Sequence, residues 1–359
     1  MPALGYQARI FHTIQYTADL SEADLIRNFV FMHVDIEHQD EFDDKLWKPM
    51  EKHFEDSQGN LDGSRLSSFF RDFLMYKGKY ISPDTTFDAF EQQYTGTSFE
   101  PEELAEELMH NAFFYDVVRG TQVHSSKEAN LALAQLRGLE SSTTYPLVLN
   151  LLHKVEDGVM SIQYLEHAFE LLAGFIMRRL VCGESSRAYG RWFVSACTEL
   201  GSNPLDGLWK FLNSKGYPNN ARFKADFAGF NLYGSRYCLF ILKTLEKAHS
   251  HKEPADLAQA QIEHVMPQKM SPIWITDLGS EAERIHSKWL HTIGNLTLSA
   301  YNPELSNKPF DIKRKWYATS NIVLTRSISE YEKWTETEII ERGQKLTELA
   351  AQVWIGPDK

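Results

Sequence analysis

Apolar residues recur at helical spacing, in one segment after another, up to about residue 250. The first stripe consists of Leu25, Ile26, Phe29, Val30 and Met32. Ser21, with Asp24 three residues on, has the form of a capping box in front of it. The same spacing predicts helices over 41–54, 66–76, 101–117, 129–136, 162–181 and 237–245. Pro49 predicts a kink or break inside the second of these segments. The pattern therefore favours a large helical domain, and no repeat of fixed period indicates a solenoid.

The pattern changes after Ala255. Residues 261–267 alternate like a short strand that ends at a proline, and 292–298 form a second short strand with a glycine near its start. A helix beginning with Pro309 and running to Tyr317 follows. The polar stretch 246–254 is the predicted boundary. We therefore predict a mainly α chain: a helical domain over 31–253, then a small α+β domain with C-terminal helices over 254–359.

Composition excludes several classes of protein. Among 359 residues there are three cysteines and no Cys-x-x-Cys pair, which argues against a disulfide scaffold and a four-cysteine zinc site. No apolar run approaches the roughly 18 residues that a membrane span needs, and the first residues lack a signal-peptide pattern. We expect a cytoplasmic protein without membrane contact.

The negative charge of the chain is unevenly distributed. Of the formal net charge of −12, only −2 falls from Asp256 onward, where 12 basic and 14 acidic residues lie. In the short stretch 305–327, five basic side chains face a single acidic one, Asp311. The basic residues are Lys308, Lys313, Arg314, Lys315 and Arg326. An acidic body with a locally basic segment is compatible with contact to a phosphate backbone.

Adjacent Glu263 and His264 lie on the first predicted strand of the α+β domain. Hydrolysis of a phosphodiester requires a base for the attacking water and a cation for the developing charge. Neighbouring strand residues point to opposite faces, so these two side chains serve one site only if the strand bends. Asn295 is placed to hold the loop by side-chain hydrogen bonds, and Asn302 to supply a second metal ligand. Taken alone, His264 is more typical of a hydrogen-bonded strand histidine than of a catalytic one.

The same residues resemble the HNH (ββα-metal) nuclease module, and more closely the C-terminal HNH domain of GmrSD-type restriction proteins. The resemblance rests on Glu263 to Pro267, Ile293 to Leu298, Tyr301-Asn302, Leu305 to Lys308, Phe310 and Lys313, with Trp334, Arg342 and Trp354 behind them. A weaker resemblance over residues 10–28 matches the end of that family's N-terminal, ParB-like domain. It implies that residues 1–30 are the remnant of a junction, and that the missing N-terminal domain is a partner of this chain.

The resemblance implies a role for each matching residue. His264 becomes the general base, Asn295 the asparagine that fixes the loop, and Glu263 and Asn302 the ligands of one divalent metal, Mg²⁺ or Mn²⁺. Asn307 stays open as the alternative to Asn302. Glutamate stands at Glu263 where relatives often have aspartate.

These roles lead to an expected function. The resemblance implies an anti-phage restriction protein that hydrolyses foreign DNA, by nicking, since a one-metal site cuts one strand per encounter. Backbone contacts are expected from Lys308, Lys313, Arg314 and Lys315. Two alternatives remain open: a nuclease directed at RNA, and a helical protein-interaction module with a degenerate, inactive nuclease domain.

Overall fold

The computed structural model describes residues 20–95, 99–249, 253–300 and 305–358. Over these residues the protein is mainly α-helical and contains one two-stranded antiparallel sheet, which confirms the predicted fold class. No helix in the described ranges is long and apolar enough to cross a membrane. The chain divides into two compact units. One runs through Phe169 and includes Arg187–Phe211, and the other consists of Glu170–Ser186 and the chain from Leu212 onward.

The first unit is a set of helices packed around aromatic side chains. Its helices are α1 (Glu22–Phe31), α2 (Gln39–Phe42), α3 (Lys48–Glu51), α4 (Gly63–Met75), α5 (Thr86–Tyr94), α6 (Pro101–Arg119), α7 (Lys127–Gly138), α8 (Tyr145–Glu156) and α10 (Tyr189–Glu199). Residues of α9 (Ile162–Val181) and α11 (Pro204–Ser214) are divided between the two units. The fully buried rings include Trp47, Phe54, Phe69, Phe70 and Phe73.

Two local expectations for this unit can be compared with the structure. The capping box is present: the Ser21 hydroxyl accepts from the Asp24 N–H, and the Asp24 carboxylate accepts from the Ser21 N–H. Pro49 does not break its helical segment. It lies in the first turn of α3, directly after a π-helical turn, Asp43–Trp47. Proline lacks an N–H and is tolerated in the first turn of a helix, so the helical run continues past it.

The second unit encloses the sheet between helices. It contains α12 (Asn220–Gly229), α13 (Cys238–Ala248), β1 (Gln261–His264), α14 (Pro272–Leu278), α15 (Ala282–Trp289), β2 (Leu296–Ser299), α16 (Phe310–Ala318), α17 (Val323–Arg326) and α18 (Glu336–Val353). Its core includes Val265, Met266, Trp274, Phe310 and Trp334. The predicted boundary at residue 253 stays a prediction. The compact unit in the structure is larger than the predicted domain, because residues 170–186 and 212–249 also belong to it.

The two strands are shorter than the sequence pattern predicts. They pair from Gln261 opposite Ser299 to His264 opposite Leu296. Beyond that pair, the Val265 N–H donates to the Asn295 carbonyl and the Met266 N–H donates to the Asn295 side chain. Residues 293–295 form a 3₁₀ turn instead of the start of a strand. Regular pairing therefore ends at His264: one more backbone bond follows at Val265, and the Asn295 side chain then takes the Met266 N–H.

Helix α18 holds the turn that precedes β2. The buried Arg342 guanidinium donates to the carbonyls of Ile293, Gly294 and Leu296, each at 2.9 Å. A Cβ at Gly294 would collide with the Ile339 carbonyl of the same helix, so only glycine allows this approach. The turn and the start of β2 are thus fixed from one side by α18.

Candidate active site around His264

Glu263 and His264 lie on opposite faces of β1. Both are buried, 6% and 5% exposed. Glu263 contacts Lys313 and Tyr317 of α16, whereas His264 contacts Tyr233, Gln268 and His291. The regular pairing of the strand through His264 preserves the alternation of side chains. The bend that would bring both side chains to one site is therefore absent from β1.

The imidazole of His264 is held at two edges. Its Nε2 lies 3.2 Å from Nδ1 of His291, and its Nδ1 lies 3.4 Å from Nε2 of Gln268. The Tyr233 ring packs edge-on against it, with ring centroids 4.5 Å apart. Because an amide nitrogen only donates, the network favours the tautomer in which His264 donates from Nε2 to His291. Nδ1 then carries the lone pair.

The surroundings of His264 disfavour its protonated form. Burial, followed by the nearby His291, Lys313 and His286, lowers the pKa of His264 to about 3. An imidazole in this setting is neutral at physiological pH, and a pKa this low also makes it a weak base as long as no negative charge lies beside it. The pKa of His291 is also lowered, by burial and by His286. The pair therefore carries no charge before substrate arrives.

His291, Tyr233 and Gln268 were not predicted as site residues. The Tyr233 ring stacks on the His291 ring, and the His291 carbonyl accepts from the Leu232 and Tyr233 N–H groups. These contacts fix His291 against the segment before α13. His291 lies 27 residues after His264 in the chain, outside any short motif, and nothing in the local pattern distinguishes it from His286. Its position directly before the Gly-Asn turn was the one available signal.

Glu263 forms an interior ion pair. The Lys313 ammonium lies 2.7 Å from its Oε1 and 2.8 Å from the His264 carbonyl oxygen, and the Tyr317 hydroxyl donates to the same Oε1 at 3.2 Å. Burial raises the pKa of Glu263 and lowers the pKa of Lys313, and each charge opposes the shift of the other. Lys313 is fully buried, so it is not on the exposed basic face where a DNA contact was predicted.

The predicted metal ligands do not assemble around Glu263 in the described ranges. The Glu263 carboxylate already accepts from an ammonium and a hydroxyl, and it faces away from His264. Asn307 lies on an exposed turn before α16, and Asn302 lies outside the described residues. The residues seen here therefore do not fit an Mg²⁺ or Mn²⁺ site that includes Glu263.

Asn295 lies at the centre of the loop next to His264 and is completely buried. Its Oδ1 accepts from the Met266 N–H at 2.8 Å and from the Trp334 indole at 3.1 Å. Its Nδ2 donates to the carbonyls of Met266 and Leu290, both at 3.0 Å. All four hydrogen bonds that the Asn295 amide can form are thus used within the protein. They join Met266, after β1, to Leu290, before β2, and to Trp334.

The remaining basic residues of the predicted DNA face differ in exposure. Lys308 and Lys315 are exposed, while Arg314 is partly buried and donates to the Ser329 carbonyl at 2.8 Å. Of the four residues predicted to contact DNA, Lys308 and Lys315 are therefore the two whose side chains are exposed enough to reach a phosphate.

A cavity of about 510 Å³ lies elsewhere, within the first unit. Charged side chains that line it include Arg65, Arg71, Asp72 and Arg119. His264 is not among its lining residues, so cavity size does not identify the nuclease-like site.

Comparison with known proteins finds a match for part of the chain. Residues 217–349 match the family described as "GmrSD restriction endonucleases, C-terminal domain". The matched segment contains both strands, His264, His291, Asn295 and Tyr233. A search of curated proteins finds no match. This segment, 217–349, is therefore similar to the C-terminal domain of GmrSD restriction endonucleases.

Proposed function

We propose that the C-terminal unit hydrolyses phosphodiester bonds of DNA, with His264 as the general base. The observation that supports this most is the buried His264 imidazole, held by His291 at the end of β1 and inside the segment that matches restriction endonucleases. Nδ1 of His264 takes a proton from the attacking water. Gln268, which lies at the long distance of 3.4 Å from this nitrogen, gives way to that water or orients it.

His291 orients the base. Its Nδ1 accepts from the His264 Nε2–H and stabilises the imidazolium that forms when the water proton arrives. Two further side chains hold the backbone at His264. Asn295 accepts from the Met266 N–H, and Lys313, paired with Glu263, donates to the His264 carbonyl. They hold the imidazole in place without touching the substrate. This assigns Glu263 to positioning in place of metal binding.

A divalent cation, Mg²⁺ or Mn²⁺, remains part of the proposal, and its ligands in this chain are open. No step is assigned to it, because the described residues around Glu263 do not form its site. Lys308 and Lys315 supply backbone contacts that do not depend on sequence. In a cytoplasmic anti-phage restriction protein, such a domain nicks foreign DNA.

Cutting of a supercoiled plasmid tests the proposal. The full chain is incubated with Mg²⁺, Mn²⁺ or EDTA, and nicked and linear products are separated. His264→Ala lowers the rate by about 10²–10⁴-fold, whereas His249→Ala, at an exposed histidine of the same unit, leaves it unchanged. A single-stranded RNA substrate in parallel distinguishes an RNA-directed nuclease. No cutting by the wild type with any metal would instead support the inactive interaction module.

A further inference from the structure

Three metal-binding side chains meet in the first unit, far along the chain from His264. His153 and Glu156 lie three residues apart on α8 and therefore share one face of that helix. His110 approaches from α6. One potential ligand atom from each of the three side chains lies within 4.8 Å of the other two. Among the described residues, this is the cluster of His, Cys, Asp or Glu side chains that could hold a metal ion.

The Glu156 carboxylate lies between the two imidazoles. Its Oε2 is 2.7 Å from Nε2 of His110 and 3.6 Å from Nδ1 of His153. A tetrahedral zinc ion takes nitrogen and oxygen ligands at about 2.0–2.2 Å, which places two of its ligand atoms about 3.3–3.6 Å apart. Small rotations of His110 and Glu156, both exposed, would close the arrangement around one ion.

His153 is already oriented as a ligand. Its Nε2 lies 2.8 Å from Oδ1 of Asn111, an atom that only accepts, so Nε2 carries the proton and Nδ1 presents its lone pair to Glu156. Asn111 is completely buried, and its Nδ2 donates to the Glu107 carbonyl at 2.8 Å. Histidine ligands of metals are commonly fixed in this way, through their second nitrogen.

Aromatic side chains limit the motion of both imidazoles. The Tyr76 ring stacks on His153, with centroids 4.9 Å apart, and Phe114 packs edge-on against both histidines. A simple surface ion pair between Glu156 and a histidine needs neither the buried asparagine nor this packing.

We propose that His110, His153 and Glu156 bind a divalent transition-metal ion of the Zn²⁺ type, which joins α6 to α8. Two imidazole nitrogens and one carboxylate suit Zn²⁺ and exclude Mg²⁺ as the preferred ion. The exposure of His110 and Glu156 leaves room for water at the remaining coordination position. The site is independent of the nuclease proposal, since it uses none of the residues around His264.

Calorimetric titration of the full chain with ZnCl₂, after treatment with EDTA and dialysis, tests the site. We expect His110→Gln and Glu156→Gln each to weaken one zinc site at least about tenfold, whereas His38→Gln, at an exposed histidine of the same unit, leaves it unchanged. Mg²⁺ should not compete. Zinc should raise the melting temperature of the wild type and of His38→Gln, but not of His110→Gln.

Two results would overturn the proposal. The first is the absence of zinc binding by the wild-type chain. The second is equal zinc affinity and stoichiometry in the wild type, His110→Gln and Glu156→Gln, which would place the ion on other side chains. Because both substituted residues are exposed, the variants are expected to fold, and far-UV circular dichroism confirms that before titration. Plasmid cutting by His110→Gln at the wild-type rate separates this site from the nuclease.

Discussion

The ammonium of Lys313 lies 2.7 Å from the Glu263 carboxylate and also donates to the backbone carbonyl of His264. The buried Lys313 thus compensates the charge of Glu263 and also holds the backbone of His264. The pair joins α16 to β1 in the interior of the C-terminal unit. It accounts for two residues whose sequence pattern indicated metal binding and DNA contact.

Removing one partner of this pair should destabilise the unit. Lys313→Met leaves the Glu263 carboxyl buried with only the Tyr317 hydroxyl, and we expect a loss of about 3–5 kcal/mol in the free energy of unfolding. The double variant Lys313→Met with Glu263→Gln should be less destabilised than Lys313→Met alone, because no uncompensated charge remains. Urea unfolding measures both, with Lys315→Met as the exposed control. Equal stability of Lys313→Met and Lys315→Met would contradict the assignment.

The features that the sequence predicted are local ones. Helical spacing located the helices, and the adjacent strand residues with the Gly-Asn turn located the sheet and Asn295. Helix 162–181, for example, has the predicted bounds. These signals depend on residues a few positions apart, where backbone geometry alone decides which side chains share a face.

The contacts that sequence reasoning missed join distant residues. Lys313 meets Glu263 across 50 positions, and His291 meets His264 across 27. A lysine in a basic stretch is far more often exposed than buried, so composition assigned Lys313 to the surface. Only the packing of α16 against β1 reverses that. The end of β1 was also missed, because the Asn295 side chain, in place of a backbone carbonyl, accepts from the Met266 N–H.

DNA affinity should depend on the exposed lysines. We expect Lys308→Ala and Lys315→Ala each to weaken binding equally for unrelated duplexes. Each should reduce the slope of log K against log salt by about 0.9, the value for one lost phosphate contact. Fluorescence anisotropy from low to moderate salt measures the slope, and Lys45→Ala in the first unit is the control. Unchanged slopes in both variants would mean that DNA reaches His264 from another side.

The protonation of His264 should be unusual. Burial and the neighbouring His291 lower its pKa to about 3, so we expect the imidazole to be neutral at pH 5, where an ordinary histidine with a pKa near 6.5 is mostly charged. NMR of the ¹³C-labelled ring, assigned with His264→Ala, follows the titration. His291→Gln removes the neighbouring imidazole that disfavours the protonated form of His264 and should move the titration of His264 to higher pH. A midpoint near 6.5 in the wild type would contradict the environment described for the base.

The buried Asp72 of α4 should make the first unit less stable as the pH rises. It is 4% exposed and accepts from the Tyr115 hydroxyl at 3.1 Å, and burial raises its pKa to about 7. Between about pH 4 and 7 the folded state therefore keeps a proton that the unfolded chain has lost. Stability contributed by this proton is complete below pH 4 and falls as the pH rises through 7. The slope is at most roughly 1.4 kcal/mol per pH unit.

Asp72→Asn keeps the shape and the acceptor for Tyr115 but removes the ionisation. We expect the variant to be more stable than the wild type at pH 8, and the difference to shrink toward pH 4.5, because there the wild-type carboxyl is protonated as well. Thermal unfolding of both proteins at the two pH values measures this. Asp88→Asn, at an exposed aspartate of the same unit, should show no such pH-dependent difference. A stability difference between Asp72→Asn and wild type that does not change with pH would show that Asp72 is ionised in the folded protein.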